Sequence, residues 1–477
     1  MVSIKEELLS GVFWTAIAKY SSLLVTLIVS MILARLIAPE EFGIVAIANI
    51  FIVFLTMLSQ IGIGPAIVQS KDLSRNDYNN IFGVSLYIGL ILALIFYLSS
   101  ESIANLYSEE KLVTICHILC VNVFFSAINM VPNALMLKNK RFKDIAKITL
   151  IIQLFAAVCS VTAAFVGFGV YALIVSPVFL SVGLFVYCYN QYPLKVYIRP
   201  EFSSLKKILS FSVYQFLFEF SNYFSRNLDK LIIGKYISVH ALGYYEKSYT
   251  LVQMPQQYIT GIISPVLQPV LCKLEKNKEE LANNYNKIIS IIATLSFPIG
   301  IVLYFCAMEI IVIMFGECWI PAVRVFQIIS LSLPTQMILS TSGSIWQASN
   351  STKGLFVVGS INTIIVITGF FVAAYFFRTI EAVAWSWTMC ALITFLITYT
   401  VMYKHILKSS LLAMLKTLLH PAINSLLIML SYILYNSYAP NHNPIVGLIG
   451  KLLIAMLNTL VYLQMTKQID IKKKIRI

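Results

Sequence analysis

The chain has 477 residues, of which 59% are hydrophobic and only 12% charged, with a mean hydropathy of +0.83. Soluble globular domains carry roughly 25% charged residues, so the length reads as one polytopic, all-α membrane protein and not as three soluble domains. Short alternating strands are absent, which excludes an outer-membrane barrel. The formal net charge of +14 raises nucleic acid as a partner, an idea that the distribution of the charge removes.

Apolar runs recur along the chain, each near the roughly 20 residues that cross a bilayer core. They predict fourteen spans, over 11–34, 42–64, 81–100, 112–136, 146–168, 170–190, 208–233, 241–271, 285–306, 321–348, 355–377, 381–403, 413–435 and 445–465. The first is too long for a cleavable signal core, and no small-residue cleavage site follows it. Residues 308–316 form a short extra apolar segment. Pro255, Pro265, Pro269, Pro298 and Pro334 interrupt spans eight to ten, where interior prolines kink helices. No loop exceeds about 20 residues, so neither side offers the room that a membrane glycosyltransferase or polysaccharide polymerase needs for a catalytic domain.

Basic residues sort by side. The N-terminal tail, the loops after even-numbered spans and the C-terminal tail hold 25 of the 35 Lys and Arg. The opposite loops hold four: Arg35, Lys111, Lys235 and Arg378. The positive-inside rule then places both termini in the cytoplasm, with some of the charge attracted to anionic lipid headgroups. No nucleic-acid partner is implied. The eight cysteines are scattered, with neither metal spacing nor a disulfide framework, and are expected as small buried hydrophobes. Tyr244, Tyr245 and Tyr438 read as an interfacial belt, and Lys451 as a residue snorkelling from a helix end.

A weak internal repeat runs at an offset of 200: Trp14 meets Tyr214, Lys19 meets Glu219, Ile32 meets Ile232, Arg35 meets Lys235, and Gly43 meets Gly243. Both halves start from the cytoplasm, so the repeat is parallel, related by an axis along the membrane normal. The organisation expected is an N-terminal lobe over 1–190, a basic cytoplasmic linker over 191–207, a C-terminal lobe over 208–404, and two further spans with a basic tail over 405–477.

No paired carboxylates, nucleophile motif, phosphate-cradling loop or metal cluster appears, so no catalytic residue and no metal ligand is assigned. What remains is charge inside the membrane, which costs about 2.5–3.5 kcal/mol per residue at a span centre and marks pathways. Lys19 lies roughly 13 Å into span one at 1.5 Å per residue, and Glu219 lies equally deep in span seven. In "FEFSNYFSRNLDKLIIGKY" (218–236), Glu219, Tyr223, Arg226 and Lys230 fall on one helical face, with Asn222 and Asp229 beside it. That stripe reads as a cavity lining. Asp229 has two readings, a cavity carboxylate or an ion-pair partner of Arg226 or Lys230. Lys247 and Arg324, near the ends of spans eight and ten, either snorkel or line the same cavity. Fixed cations suit an anionic headgroup such as phosphate or pyrophosphate.

The stretches "LARLIAPEEFG" (33–43), "KRFK" (140–143), "NLDKLIIGKY" (227–236), "ALGYY" (241–245) and "FGECWIPAV" (315–323) resemble the polysaccharide transporter branch of the MOP exporter superfamily, the Wzx-type repeat-unit flippases of O-antigen, capsule and colanic acid. The fourteen-span layout with both termini inside resembles it too. The resemblance implies two six-helix lobes with two appended helices, in the bacterial cytoplasmic membrane. It implies a flippase, not an enzyme, that moves undecaprenyl-pyrophosphate-linked oligosaccharide by alternating access. Its partners would be that lipid-linked substrate, membrane lipids, and the polymerase and glycosyltransferases of the same pathway. No cofactor is implied beyond a coupling H+ or Na+. Lys19, Arg226, Lys230, Lys247 and Arg324 are the candidate substrate cations, and Glu219 and Asp229 the candidate coupling carboxylates. A MATE-like small-molecule exporter, which would prefer an anionic cavity, and a lipid II flippase are the competing transport readings. A membrane glycosyltransferase or polymerase is the reading from another class.

Overall fold

The computed structural model describes residues 4–60, 63–70, 72–197, 199, 223, 226–272, 277–349, 351–438 and 443–466. The chain is helical throughout these residues, with no strand among them. Its contacts divide it into two compact units, Met1–Gly243 and Tyr244–Ile477.

The first unit holds α1 (Ile4–Leu36), α2 (Pro39–Gln60), α3 (Ile63–Gln69), α4 (Arg75–Tyr107), α5 (Lys111–Lys138), α6 (Phe142–Phe165) and α7 (Tyr171–Gln191). To these it adds α8 (226–236) and the first turn of α9 (Val239–Cys272). A capping box starts α4: Asp77 N–H donates to Ser74 Oγ (3.2 Å), and Ser74 N–H donates to Asp77 Oδ2 (2.9 Å). Helix α5 packs against both α4 and α7, and α6 against α1 and α7. A core of Ile63, Ile67, Ile81, Phe82, Val131 and Leu135 closes around α3. Polar side chains bridge helices where the bilayer supplies no partner: Gln153 donates to the Ser22 carbonyl (3.2 Å) and Thr26 Oγ1 (3.0 Å), tying α6 to α1.

The second unit holds the rest of α9, then α10 (Lys278–Phe305), α11 (Ala307–Phe315), α12 (Ala322–Ser330), α13 (Leu333–Leu339) and α14 (Ser342–Ala348). It closes with α15 (Thr352–Val372), α16 (Ile380–Met402), α17 (Leu411–Tyr438) and α18 (Pro444–Met465). Outward residues in both units are large and apolar, among them Phe155, Val158, Phe356, Phe376, Leu426 and Leu457. A water-facing surface would not carry such a coat; a lipid-facing one does. The protein is a multi-pass membrane protein.

Among the described residues eleven helices are long and apolar enough to cross a membrane, or twelve with one bent pair. The three of the fourteen expected spans outside those eleven have separate reasons. Most of the seventh lies outside the described residues. The eighth is α9, a continuous 34-residue helix made polar by Glu246, Lys247, Gln253, Gln256 and Gln257. The tenth is the bent pair, turning by 47° between Ser330 and Leu333 beside Pro334. Pro298, by contrast, sits inside an unbroken α10.

The repeat has a physical counterpart. A Cβ on Gly43 would overlap the Val239 carbonyl, and a Cβ on Gly243 would overlap the Pro39 carbonyl. The relation is reciprocal: 43 meets 239 and 243 meets 39, and the offset of 200 carries 43 to 243 and 39 to 239. Self-complementary contact of this kind is what a two-fold relation produces, so the repeat's corresponding glycines meet each other at the crossing of α2 and α9.

Candidate functional site

Of the predicted cations, Lys19, Arg226 and Lys230 lie in the first unit and Lys247 and Arg324 in the second. Lys19 is exposed on α1, Arg226 is exposed on α8, and Lys230 is half-buried one turn further on. Asp229 between them is fully buried, together with Ile232 and Ile233. The predicted stripe is therefore not uniform. Tyr223 belongs to the packing: it is buried, donates its hydroxyl to the Ile50 carbonyl (2.6 Å) and lays its ring against Phe54. Glu219 lies outside the described residues, and its juxtaposition with Lys19 with it. At the far end of α8, Lys235 Nζ donates to the Leu106 carbonyl (2.7 Å), and Gly234 lets the Tyr107 ring approach.

In the second unit the start of α9 docks on the segment joining α11 to α12. Ser248 Oγ donates to the Ala322 carbonyl (3.0 Å), and Tyr244 meets the Trp319 ring edge-on at 5.8 Å. Lys247 Nζ stands 5.4 Å from the Phe315 ring centroid, a cation–π contact that fixes its head. Arg324 is exposed and reaches Gln327 at 3.5 Å. Tyr244 and Tyr245 are buried here, so they are packing residues and not the interfacial belt that their positions suggested; Tyr438, strongly exposed, does stand outside the core.

Several polar groups went unread in the sequence. Around the broken segment α12–α14, Gln253 donates to Gln336 (2.7 Å), Tyr285 and Tyr399 share a hydrogen bond (2.8 Å), and Tyr399 also donates to the Ile338 carbonyl (2.9 Å). Tyr403 donates to Asn286. Tyr399 thus reaches a backbone carbonyl of the broken segment, and the other bonds join polar side chains of neighbouring helices, as polar groups inside a membrane protein require. The signal was the run "SLSLPTQMILSTSGS" (330–344), dense in hydroxyls about a proline. His117, which the sequence leaves alone in span four, stacks on Tyr97 at 4.0 Å and bonds Ser100 at 2.9 Å.

Lys451 corrects a further expectation. It does not snorkel; it is buried, donating to the Phe305 carbonyl (2.9 Å) and paired with Glu309.

Two cavities are opposite in character. A groove of about 760 Å³ between α15 and α16 is apolar, lined by residues such as Ile364, Phe377, Trp385 and Met389. A pocket of about 510 Å³ at the turn between α4 and α5 is polar and carries Glu101, Glu109 and Glu110, the wrong sign for a phosphate. Burial, then the neighbouring Glu40, push the Glu109 carboxyl above the usual glutamate range, with Lys111 opposing. A carboxyl raised on folding favours the native state in acid, and that contribution is lost as pH rises through its folded value. Glu109→Gln is accordingly expected to raise the melting midpoint slightly at neutral pH and to leave it unchanged below the ordinary glutamate range, read by thermal unfolding in detergent at both pH values.

The model of the family described as "Polysaccharide biosynthesis protein" matches residues 32–324, more than half of the chain. The chain belongs to this polysaccharide biosynthesis family. Among curated relatives of this family member, the teichuronic acid biosynthesis protein TuaB of Bacillus subtilis is 24% identical over 402 residues, covering 83% of this chain and 82% of its own. The lipopolysaccharide biosynthesis protein WzxC of Escherichia coli is 24% identical over 414 residues, covering 86% and 83%. Among solved structures, the lipid II flippase MurJ in an inward closed conformation superposes with a TM-score of 0.77 at 17% identity, covering 96% of this chain and 99% of MurJ. An inward-facing multidrug resistance MATE transporter of the MOP superfamily gives 0.64 at 16% identity, covering 82% and 99%. At those identities the likeness establishes the fold alone: this member of the family shares the helical architecture of MurJ and of the MATE transporter.

Proposed function

We propose that this protein is a flippase that carries undecaprenyl-pyrophosphate-linked oligosaccharide repeat units across the cytoplasmic membrane by alternating access, for surface polysaccharide. One observation supports the reading most directly. On a polysaccharide-biosynthesis chain with a flippase-like fold, α8 keeps Arg226 exposed and Lys230 half-buried while burying Asp229, Ile232 and Ile233. Cations kept off the packed face of a membrane helix are placed for a mobile anion. In this reading two six-helix lobes alternate between inward- and outward-open V-shaped states. Lys19, Arg226 and Lys230, with Lys247 and Arg324, engage the pyrophosphate or acidic sugars, while the prenyl chain stays in lipid. Asp229 and Glu219 are the carboxylates proposed to respond to a coupling H+ or Na+, and both chain termini lie in the cytoplasm.

The test is complementation of a strain lacking its own repeat-unit flippase, in the native glycan background, with surface glycan measured at matched membrane levels of protein. Wild type is expected to restore export. Each of Lys19→Ala, Arg226→Ala and Lys230→Ala removes a charge-assisted bond worth about 1.5–3 kcal/mol, and is expected to lower export roughly tenfold or more. No restoration by wild type would sink the flippase reading. Normal export by all three alanine variants would sink the cation assignment alone.

A further inference from the structure

Two ammonium groups crowd one indole where α1 and α6 pack together. Lys143 Nζ stands 4.9 Å and Lys147 Nζ 5.8 Å from the Trp14 ring centroid, both within cation–π range. The lysines are one turn apart on α6, so they are neighbours of like charge and repel each other. Neither is paired with a carboxylate among the described residues. The acid between them in sequence is already engaged: Asp144 Oδ2 accepts from Arg141 Nε (2.6 Å). Both lysines are exposed and Trp14 is half-buried. An indole holds two such heads in place without neutralising them; an anion does both.

The surface that continues from this cluster faces lipid. At helical spacing Lys143 and Lys147 lead to Ile151, Leu154 and Val158, each more than half exposed. Helix α1 runs parallel to α6, since Trp14 meets Lys143 and Lys147 while Ser22 and Thr26 meet Gln153 further along. It adds Leu24 and Ile28, also more than half exposed. An apolar track therefore leads away from the cationic end. From Lys147 to Val158 it measures about 16 Å at 1.5 Å per residue, close to the half-thickness of a bilayer core, roughly 15 Å. Tryptophan at such a boundary sits at headgroup level.

We propose that this end of the α1–α6 pair is a binding site for an anionic phospholipid. The phosphodiester lies between Lys143 and Lys147, the glycerol over the Trp14 ring, and an acyl chain along Leu24, Ile28, Ile151, Leu154 and Val158. Clustered basic residues beside a spanning helix attract anionic lipid, and here the indole fixes their geometry. A zwitterionic lipid brings its own cationic group against two others and is held less well. The track matches the acyl chain of one leaflet and not a much longer prenyl chain. The site uses none of the cations assigned to transport, so it does not rest on the flippase reading: export could fail with this site intact.

Trp14 itself reports on the site. The full-length protein is reconstituted in zwitterionic vesicles with rising fractions of a phospholipid brominated in the upper part of one acyl chain. Quenching of Trp14 is the difference between wild type and Trp14→Phe, which removes the signal of the other four tryptophans. Brominated phosphatidylglycerol is expected to reach half-maximal quenching at an about tenfold lower fraction than brominated phosphatidylcholine. Lys143→Gln with Lys147→Gln should bring the two headgroups to parity at an unchanged melting midpoint, because both side chains are exposed. Each single variant should lose part of the preference. Equal quenching by the two headgroups in wild type overturns the proposal, as does a preference that survives the double variant. Displacement of the brominated phosphatidylglycerol by millimolar inorganic phosphate would make this a site for soluble anions. Displacement by traces of undecaprenyl phosphate, at a level where plain phosphatidylglycerol has no effect, would make it a site for the carried lipid. Either outcome overturns the phospholipid assignment.

Discussion

Gly43→Ala and Gly243→Ala are each expected to remove folded protein from the membrane. Among the described glycines these two face backbone, not side chain: Gly43 abuts the Val239 carbonyl and Gly243 the Pro39 carbonyl. A flexible neighbour would rotate away from an added methyl. A carbonyl inside a helix cannot do so without breaking its own hydrogen-bond ladder, so α2 and α9 must separate at their crossing. Overpacking a well-packed site typically costs about 1–3 kcal/mol and sometimes more, and the absence of any side-chain relief puts these variants at about 3 kcal/mol or above. The measurement is membrane abundance together with monodispersity after detergent extraction. Gly359→Ala is the control, because a Cβ there meets open space; it is expected to be neutral or slightly stabilising, since alanine suits a helix interior better than glycine. Should either crossing variant purify at wild-type yield and melting midpoint, the close approach is not what holds this unit together.

This crossing also shows what the sequence could carry and what it could not. The offset of 200 aligned Gly43 with Gly243, and long apolar runs with one-sided basic loops displayed most of the spans, because bilayer thickness and headgroup charge act on composition directly. That the aligned glycines touch needed three-dimensional information. The stretches that carried the family resemblance, "LARLIAPEEFG", "ALGYY" and "FGECWIPAV", turn out to be largely assembly surfaces: they hold the glycine crossing and the aromatic dock of α9. They marked the fold without marking a substrate. Periodicity put Tyr223 on the charged face with Arg226 and Lys230 of α8, yet Tyr223 is buried on the Ile50 carbonyl, since helical spacing cannot say which polar residue on a face meets a backbone carbonyl. Lys451 was misread for a related reason. Its partner Glu309 lies 142 residues earlier, on a nine-residue helix too short to be read as a span. Spacing rules reach one turn along a helix, not across a bundle.

The fold's aromatic dock yields the other large effect, Trp319→Ala. Trp319 is fully buried between Tyr244, edge-on at 5.8 Å, and Phe315, tilted at 5.3 Å. Replacing a buried tryptophan by alanine costs about 3–5 kcal/mol when the site cannot collapse, and the two rigid rings packed on it limit collapse here. The loss travels in a specific direction. Without Trp319 the start of α9 loses its ring contact, while the Tyr244 bond to the Cys318 carbonyl (3.3 Å), the Ser248 bond to Ala322 and the Lys247 contact with Phe315 remain, and Phe315 itself has lost its neighbour. The expected result is a strongly lowered melting midpoint, with export falling further than membrane level does, because Lys247 is no longer held in place. Trp319→Phe keeps a ring between Tyr244 and Phe315, and is expected to recover most of the stability. Lys247→Met separates the two effects: it keeps the dock, so the melting midpoint should stay near wild type while export falls. Equal losses of export per folded molecule in Trp319→Ala and wild type, that is, none, would show that the dock supports the fold alone and that Lys247 needs no positioning.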